Sequence, residues 1–237
     1  MNRVNLSDHI SRQFNSELED VRGKVLAMGG LVEEQLAAAL CVLVDGDARH
    51  SQEVLVREDQ INDAEIAIDG QCLQILARHQ PAASDLRMVL TIMKMLADIE
   101  RIGDEAQRIE RMAEELIGDE SAGDATAALV ELADYARDML HGALNAFARI
   151  DERLALDVMR RDRRLDGGYK TALALFVARM QAEPDRIPLE LNRLWIARSL
   201  ERIGDRCKNL CEYVLYLARG KDVRHTGLAR SDGDILD

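Results

Sequence analysis

The chain has 237 residues, and its formal net charge of −12 at neutral pH argues against nucleic acid as a partner, because binding to phosphates depends on Lys and Arg. Apolar residues make up 47% of the sequence, enough for one large core or two smaller ones. The 3% aromatic content and the 3 prolines favour an all-α protein.

The N-terminal sequence and the cysteines indicate the compartment. Residues 1–11 are polar and do not resemble a signal peptide. The longest apolar run, residues 36–44, is shorter than the roughly 20 residues of a membrane-spanning helix. We therefore expect a cytosolic protein without membrane insertion and with reduced thiols. Cys207 and Cys211 share a helix face that could hold a metal, but two buried small residues are the favoured interpretation.

Helical periodicity predicts six helices. The first three span about residues 9–44, 48–78 and 84–117, with Ser84 as the N-cap of the third. The next two span about 127–150 and 152–181. The sixth follows a turn bracketed by Pro184 and Pro188 and ends near 219. Residues 118–126 are small or acidic and predict a linker, and residues after about 222 are predicted to fray.

A pentapeptide, Glu-Arg-Ile-Gly-Asp, occurs at 100–104 and again at 201–205. Each copy lies late in a predicted helix and follows positions spaced by 4, 3, 4, 3 and 4, which predicts a stripe that begins as core. The two stripes are Leu86, Leu90, Met93, Ala97, Glu100 and Asp104, and Ile187, Leu191, Leu194, Arg198, Glu201 and Asp205.

The Glu and Asp of each copy lie one helical turn apart on the same face. Two such anions repel each other and are costly to desolvate, so a positive group is expected beside them. Arg87, Arg101 or Arg202 would supply that charge as a salt bridge, and a metal ion would supply it through oxygen ligands. Gly103 and Gly204 allow close approach, for which helix packing is the favoured reason.

The second half of the chain repeats the first. Each half has three predicted helices and ends with the motif helix. Glu58 and Asn62 in the second helix correspond to Asp162 and Asp166 in the fifth. The sequence therefore predicts two tandem, duplicated three-helix bundles, residues 1–118 and 119–237.

Several short motifs in the right order resemble the PhoU family of phosphate-transport regulators over almost the whole chain. They are residues 13–18 (Gln-Phe-Asn-x-Glu-Leu), 28–33 (Met-Gly-Gly-Leu-Val-Glu), 80–87 (Gln-Pro-x-Ala-Ser-Asp-Leu-Arg), both Glu-Arg-Ile-Gly-Asp copies and Arg224-His225. The resemblance implies a PhoU-like fold of two bundles and a cytosolic negative regulator of the phosphate-starvation response. It implies partners in the ATPase subunit of the phosphate ABC transporter and the phosphate sensor histidine kinase, and a homodimer.

The resemblance also implies metal sites with a Glu/Asp-x-x-x-Asp pattern, for Mg, Mn, Ca, Fe or Zn. The pattern falls on three pairs: Glu100 and Asp104, Glu201 and Asp205, and Asp162 and Asp166. Glu58 and Asn62 depart from it, because Asn offers an oxygen without charge. The first-half site is therefore expected to bind metal more weakly.

Two other functions compete with that of a metal-binding regulator. Di-iron enzymes use Glu-x-x-His, but the third residues after Glu100 and Glu201 are glycines. The sequence contains no nucleophile elbow or phosphate-binding glycine loop, so no catalytic residue is predicted and the chain is not expected to be an enzyme. A purely structural helical adaptor without functional metal remains open.

Overall fold

The computed structural model describes residues 6–119 and 123–220, and these residues contain helices and no strand. The helices are α1 (Leu6–Asp45), α2 (Arg49–His79), α3 (Ala83–Glu114), α4 (Gly123–Arg149), α5 (Glu152–Ala182) and α6 (Ile187–Arg219). A short 3-10 turn, Pro184–Arg186, precedes α6. The prediction of an all-α protein is confirmed.

Two predicted helix starts are wrong in detail. Helix α3 begins at Ala83 with Ala82 at the N-cap, and no side chain caps it. Ser84 lies inside the first turn and contacts Asp85 instead, with Oγ 3.4 Å from Oδ1. Pro188 is likewise in the first turn of α6 and not before it, where its missing N–H costs nothing.

The connection between the two halves lies a few residues earlier in the chain than predicted. Helix α3 ends at Glu114, the chain turns at Gly118 with φ +88, and α4 already begins at Gly123. The positive φ favours glycine at position 118. The predicted frayed tail and the Arg224-His225 motif lie outside the described residues.

The helices form two bundles that pack side by side. Helices α1, α2 and α3 contact one another, and so do α4, α5 and α6. The bundles meet through α3 against α6 and α1 against α4. The second bundle repeats the helix order of the first, so the prediction of tandem, duplicated bundles is confirmed.

The prediction that the stripes leading to the motifs begin in the core is wrong. Leu90 is 41% exposed, and Leu191 is also 41% exposed. The core side of these helices is formed by positions one or two residues away, such as Ile92 and Ile196, which are fully buried. Several overlapping rows of residues on one helix have the same spacing in steps of 3 and 4. The predicted rows are those at the edge of the buried face, and neighbouring rows form its centre.

Helix α1 has a segment, Gln13–Asp45, that is long and apolar enough to cross a membrane by length and composition alone. In this fold α1 contacts α2, α3 and α4, and its apolar residues Val25, Val32 and Leu36 are buried. Its hydropathy is therefore that of a core helix.

Helices α3 and α6 cross in antiparallel orientation near the two motifs. Arg206 of α6 donates a 3.0 Å hydrogen bond to Asp98 of α3. Ser199 of α6 donates a 2.7 Å hydrogen bond to Glu105 of α3. Because Asp98 and Ser199 occupy equivalent repeat positions, as do Glu105 and Arg206, the two contacts are related by a pseudo-twofold axis. The crossing thus places both motifs at the middle of the molecule.

Candidate metal-binding faces

A first acidic face lies between α2 and α3. It consists of Glu58, Asn62, Glu65, Glu100 and Asp104. Burial raises the pKa of Glu100, and the charges of Asp104, Glu65 and Glu58 raise it further. Burial together with the charges of Asp69 and Asp104 also raises the pKa of Glu65. These shifts show that the carboxylates of the two helices lie within electrostatic reach of each other.

In the first acidic face, the Glu58 carboxylate is bonded to neutral side-chain amides. Gln35 of α1 donates a 2.6 Å hydrogen bond to Glu58, and Asn62 lies 3.4 Å from the other carboxylate oxygen. The Gln35 side chain is fully buried, and its Oε1 has no partner among the described residues. A Cβ added at Gly103 would lie 3.0 Å from that oxygen. The glycine therefore permits a close approach between α3 and α1, as predicted.

No described Lys or Arg side chain is bonded to the first acidic face. Among the described residues, Glu65, Glu100 and Asp104 have no ion pair or side-chain hydrogen bond. Arg101 lowers the pKa of Glu100 by its charge, but burial and the neighbouring acids outweigh it. Carboxylates that repel each other in this way favour the binding of an external cation.

A second acidic face lies between α5 and α6 and consists of Asp162, Asp166, Glu201 and Asp205. Burial raises the pKa of Glu201, and the charges of Asp205, Asp166 and Asp162 add to the rise. The pKa of Asp205 is also raised, mainly by burial and by Asp162. The four predicted acids of the second half therefore lie within electrostatic reach of one another.

The second acidic face carries two cations of its own. Lys208 donates a 2.7 Å hydrogen bond to Asp162, which is only 4% exposed. Arg198 donates a 2.7 Å hydrogen bond to Oε1 of Glu201. The Oε2 atom of the same carboxylate is buried and has no partner among the described residues. One oxygen in this face is thus oriented toward the interior with its lone pairs unused.

Two of the three arginines predicted to pair with the motifs, Arg202 and Arg87, bind elsewhere. Arg202 pairs with Glu105 at 2.9 Å across the α3–α6 contact. Arg87 lies over the Tyr216 ring, 5.6 Å from its centroid. The salt-bridge hypothesis is correct for Glu201 but with Arg198 as its partner, one helical turn before it.

Sequence reasoning missed three contributors to the faces. Glu65 follows Glu58 and Asn62 at steps of 4 and 3, so its spacing was visible in the sequence. Lys208 lies three residues after Asp205 and was visible in the same way. Gln35 lies in α1, far along the chain, and only the tertiary packing brings it to Glu58.

Both faces match a hard cation by the chemistry of their donors, which are carboxylate and amide oxygens. In the part of the chain that is described, no three His, Cys, Asp or Glu side chains converge as a closed metal site. The unpartnered oxygens of Gln35 and Glu201 are the atoms that fit a cation best. Cys207 and Cys211 do not fit one: both are fully buried, and burial raises the pKa of each thiol.

The fold and the two acidic faces define the class of protein: a duplicated helical bundle with one acidic face in each bundle. Two segments of the chain, residues 25–113 and 129–214, match the family model described as the PhoU domain. They correspond to the two bundles. The chain belongs to the PhoU family.

Full-length relatives and solved structures agree with this assignment. The chain is 47% identical over 235 residues to the phosphate-specific transport system accessory protein PhoU homolog of Pseudomonas aeruginosa, covering 99% of this chain and 97% of the relative. It is 41% identical over 237 residues to the accessory protein PhoU of Escherichia coli, covering 100% and 96%.

Two crystal structures share the fold. PhoU from Pseudomonas aeruginosa matches with a TM-score of 0.85 at 47% identity, covering 88% of this chain and 100% of that one. The phosphate transport system regulatory protein PhoU from Streptococcus pneumoniae matches with a TM-score of 0.82 at 29% identity, covering 89% and 99%.

Proposed function

We propose that this protein is a cytosolic negative regulator of phosphate uptake and of the phosphate-starvation response. It binds the ATPase subunit of the phosphate ABC transporter and the phosphate sensor histidine kinase, and it acts by binding and not by catalysis. The observation that carries this proposal is the similarity, over nearly the whole chain, to relatives named as accessory proteins of the phosphate-specific transport system.

The acidic faces supply the second part of the proposal. Glu58, Asn62, Glu100 and Asp104 would hold a divalent or trivalent cation in the first bundle. Asp162, Asp166, Glu201 and Asp205 would hold one in the second. Burial raises the pKa of Glu100 and Glu201, and repulsion from neighbouring acids adds to the rise. A bound cation would neutralise that repulsion and would fix α2 against α3 and α5 against α6.

The side chains around the two acidic faces favour the opposite order of metal affinities from the one expected from the sequence. The sequence ranks the first face as the weaker because Asn62 replaces an acid. The second face, however, already contains Lys208 and Arg198, and an incoming cation must compete with both. We therefore expect the first acidic face to bind a hard cation more tightly than the second.

The competing function is a structural adaptor in which the acids serve only the fold. It is favoured by the open geometry of the faces, since no three ligands converge among the described residues. Under this function the protein still binds its partners, as a homodimer or a monomer, but removal of the acids has no regulatory effect.

A complementation experiment separates the two functions. A strain that lacks the endogenous gene is complemented with wild type, Asp104→Asn/Asp205→Asn, or the control Asp134→Asn, which changes an exposed acid of α4. Alkaline phosphatase expression is then measured in high phosphate. We expect repression by wild type and by the control, and derepression by the double variant. Full repression by the double variant would favour the adaptor.

Partner binding and metal binding are measured on purified protein. Co-purification of the tagged chain with the transporter ATPase and with the kinase tests the regulatory proposal, and failure with both would overturn it. Elemental analysis with and without chelator, together with titration of Mn²⁺ or Mg²⁺, tests the acidic faces. Size-exclusion chromatography with light scattering tests the expected homodimer.

A further inference from the structure

A buried amide lies against the first acidic face, and its neighbours determine which way it is turned. Gln35 of α1 is fully buried. Its Nε2 donates a 2.6 Å hydrogen bond to Oε2 of Glu58 and lies 3.5 Å from the carbonyl oxygen of Val54. Both of these oxygens are acceptors only, so the nitrogen of the amide faces them and its oxygen faces the opposite way.

The oxygen of the Gln35 amide faces a gap in α3. A Cβ built on Gly103 would lie 3.0 Å from Oε1 of Gln35 and 3.7 Å from Oε2 of Glu58. Gly103 follows Glu100 by three residues, so the two lie on the same side of α3. Two oxygens, one from α1 and one from α2, therefore converge where α3 has no side chain, within the first acidic face.

The Oε1 atom of Gln35 has no hydrogen-bond donor among the described residues. The other atom close to the gap is Cδ1 of Ile61, which is apolar. A buried acceptor without a donor is uncommon in folded proteins and costs free energy. A water molecule would satisfy this oxygen but would leave the charges of Glu58 and Glu100 uncompensated, whereas a cation satisfies the oxygen and compensates the charges.

The second bundle has a different group at the equivalent place. The segments that match the family model begin at residues 25 and 129, so Gln35 and Met139 occupy the same position in the repeat. The contacts agree, because Cε of Met139 lies 3.6 Å from a Cβ built on Gly204. The second acidic face therefore has a methyl group where the first has an amide oxygen.

We propose that Gln35 is an oxygen ligand of a hard cation, Mg²⁺ or Mn²⁺, in the first acidic face, and that Met139 leaves the second face without this ligand. An amide oxygen is a hard donor without charge, so it adds to the ligand set of Glu58 and Glu100 without adding to their repulsion. This inference rests on the proposed function, since it names a further ligand and the class of metal for one of the proposed sites.

The competing role of Gln35 is to hold Glu58 in place and no more. For that role the side chain needs its N–H donors, whereas a ligand needs its oxygen. Gln35→Glu keeps an oxygen of the same reach and replaces the amide nitrogen, while Gln35→Met removes both groups and copies the second bundle. The two substitutions therefore separate the two roles.

Titration with Mn²⁺, followed by the electron paramagnetic resonance of the free ion, measures the affinity. The variants are made in an Asp166→Asn/Asp205→Asn background, which weakens the second face but keeps the bond between Asp162 and Lys208. We expect Gln35→Met to weaken Mn²⁺ binding by about tenfold or more. Gln35→Glu is expected to bind Mn²⁺ at least as tightly as the background protein, because it supplies a charged oxygen.

The luminescence lifetime of Eu³⁺ in H₂O and D₂O reports the ligand directly, because it counts the water molecules on the metal. Gln35→Met is expected to add about one coordinated water in place of the amide oxygen. Gln35→Glu is expected to restore the count of the background protein. Gly103→Ala is expected to weaken Mn²⁺ binding as well, because its Cβ would lie 3.0 Å from the amide oxygen.

The matched control is Thr91→Val. Thr91 is another fully buried residue of α3 whose side-chain oxygen has no partner among the described residues. It precedes Gly103 by twelve residues, which is about 18 Å along the helix. Thr91→Val is therefore expected to bind Mn²⁺ like the background protein. Circular dichroism melting verifies that each variant is folded.

The outcomes separate this inference from the proposed function. The inference is overturned if Gln35→Met binds Mn²⁺ as tightly as the background protein, if Gln35→Glu is weakened as much as Gln35→Met, or if the Eu³⁺ water count does not change. If wild type then still binds Mn²⁺ and Asp104→Asn does not, the first acidic face remains a metal site without Gln35. If wild type binds no Mn²⁺, the inference and the metal part of the proposed function both fail, and co-purification with the ATPase and the kinase decides the regulatory part separately.

Discussion

Lys208 donates a 2.7 Å hydrogen bond to Asp162 and thereby places a cation inside the second acidic face. In the first acidic face, no lysine or arginine from the described parts of the chain is bonded to an acid in this way. There the position equivalent to Lys208 is Gln107, and the acid equivalent to Asp162 is Glu58, which accepts its hydrogen bond from the neutral amide of Gln35. Two faces derived from one ancestral unit therefore carry different charge.

We expect Lys208→Met to increase the affinity of the second acidic face for Mn²⁺ by about tenfold. The substitution removes the internal cation that competes with the metal for Asp162, and tenfold in affinity corresponds to about 1.4 kcal/mol. The metal-free variant is expected to lose roughly 1–3 kcal/mol of unfolding free energy, because it leaves a buried carboxylate without its partner. Calorimetric titration with Mn²⁺ and urea unfolding measure the two effects.

The double variant Asp162→Asn/Lys208→Met is the control for this experiment. It removes the acid as well as the lysine, so the metal-free protein is expected to recover part of the lost stability while the gain in Mn²⁺ affinity disappears. An unchanged Mn²⁺ affinity in Lys208→Met would contradict the role assigned to the lysine.

We expect Glu100→Gln to stabilise the metal-free protein at pH 7 by roughly a few tenths of a kcal/mol. Burial and the neighbouring acids raise the pKa of Glu100 in the folded protein, so the folded state binds its proton more tightly than the unfolded state does. The contribution of this group to stability is then greatest below the unfolded pKa, near 4.5, and is lost as the pH rises through the folded value.

Urea unfolding at pH 7 and pH 5 tests this sign. The advantage of Glu100→Gln over wild type is expected to shrink at pH 5, where the wild-type carboxyl is partly protonated. Saturating Mg²⁺ or Mn²⁺ at pH 7 is expected to reverse the order, because only wild type keeps the ligand. A variant that is less stable than wild type at pH 7 without metal would disprove the predicted repulsion.

The sequence predicted the elements that depend on local periodicity. The six helices and the duplication followed from helical spacing and from the repeated pentapeptide, whereas a first-half site that includes Glu58 and Glu100 was implied by the family resemblance. Spacing in steps of 3 and 4 places residues on one face of a helix, and a repeat places equivalent faces in equivalent surroundings.

The sequence did not predict which groups pair or which rows are buried. Arg198 and not Arg202 binds Glu201, because the α3–α6 crossing draws Arg202 to Glu105. Leu191 looked like core but lies on the rim, since several overlapping rows of one helix have the same spacing. Such choices depend on the rotation of each helix against its neighbours, and this rotation is set by the packing of the whole bundle.

We expect Gly204→Ala to destabilise the protein by about 1–2 kcal/mol and Gly103→Ala to be nearly neutral. A Cβ on Gly204 would collide with Cδ2 of Leu165, a fully buried side chain, and overpacking of a filled core is costly. At Gly103 the nearest atom is Oε1 of Gln35 at 3.0 Å. A small shift of that amide is offset by the higher helix propensity of Ala, which contributes about 1 kcal/mol.

Urea unfolding of the two single variants measures this difference between the repeats. The double variant Gly204→Ala/Leu165→Val serves as a control, because the shorter side chain relieves the collision. It is expected to recover part of the stability lost in Gly204→Ala. Equal destabilisation by Ala at both glycines would show that the two motif helices are packed alike.

We expect Arg193→Met to cost about 3–5 kcal/mol, the largest effect of any substitution considered. The Arg193 side chain is 1% exposed and bonds to Glu190, which is equally buried, and to Asp119 in the connection between the bundles. Without the Arg193 guanidinium, Arg179 is the one cation among the described residues that still forms an ion pair with Glu190.

In Glu190→Gln/Arg193→Met both charges are gone, so the double variant is expected to lose less unfolding free energy than the two single variants together. The exposed pair Arg137 and Asp134 is the control: Arg137→Met is expected to change the unfolding free energy by less than about 0.5 kcal/mol. Urea unfolding of all four variants gives the coupling energy, and strict additivity at Glu190 and Arg193 would show that the two side chains do not act as a unit.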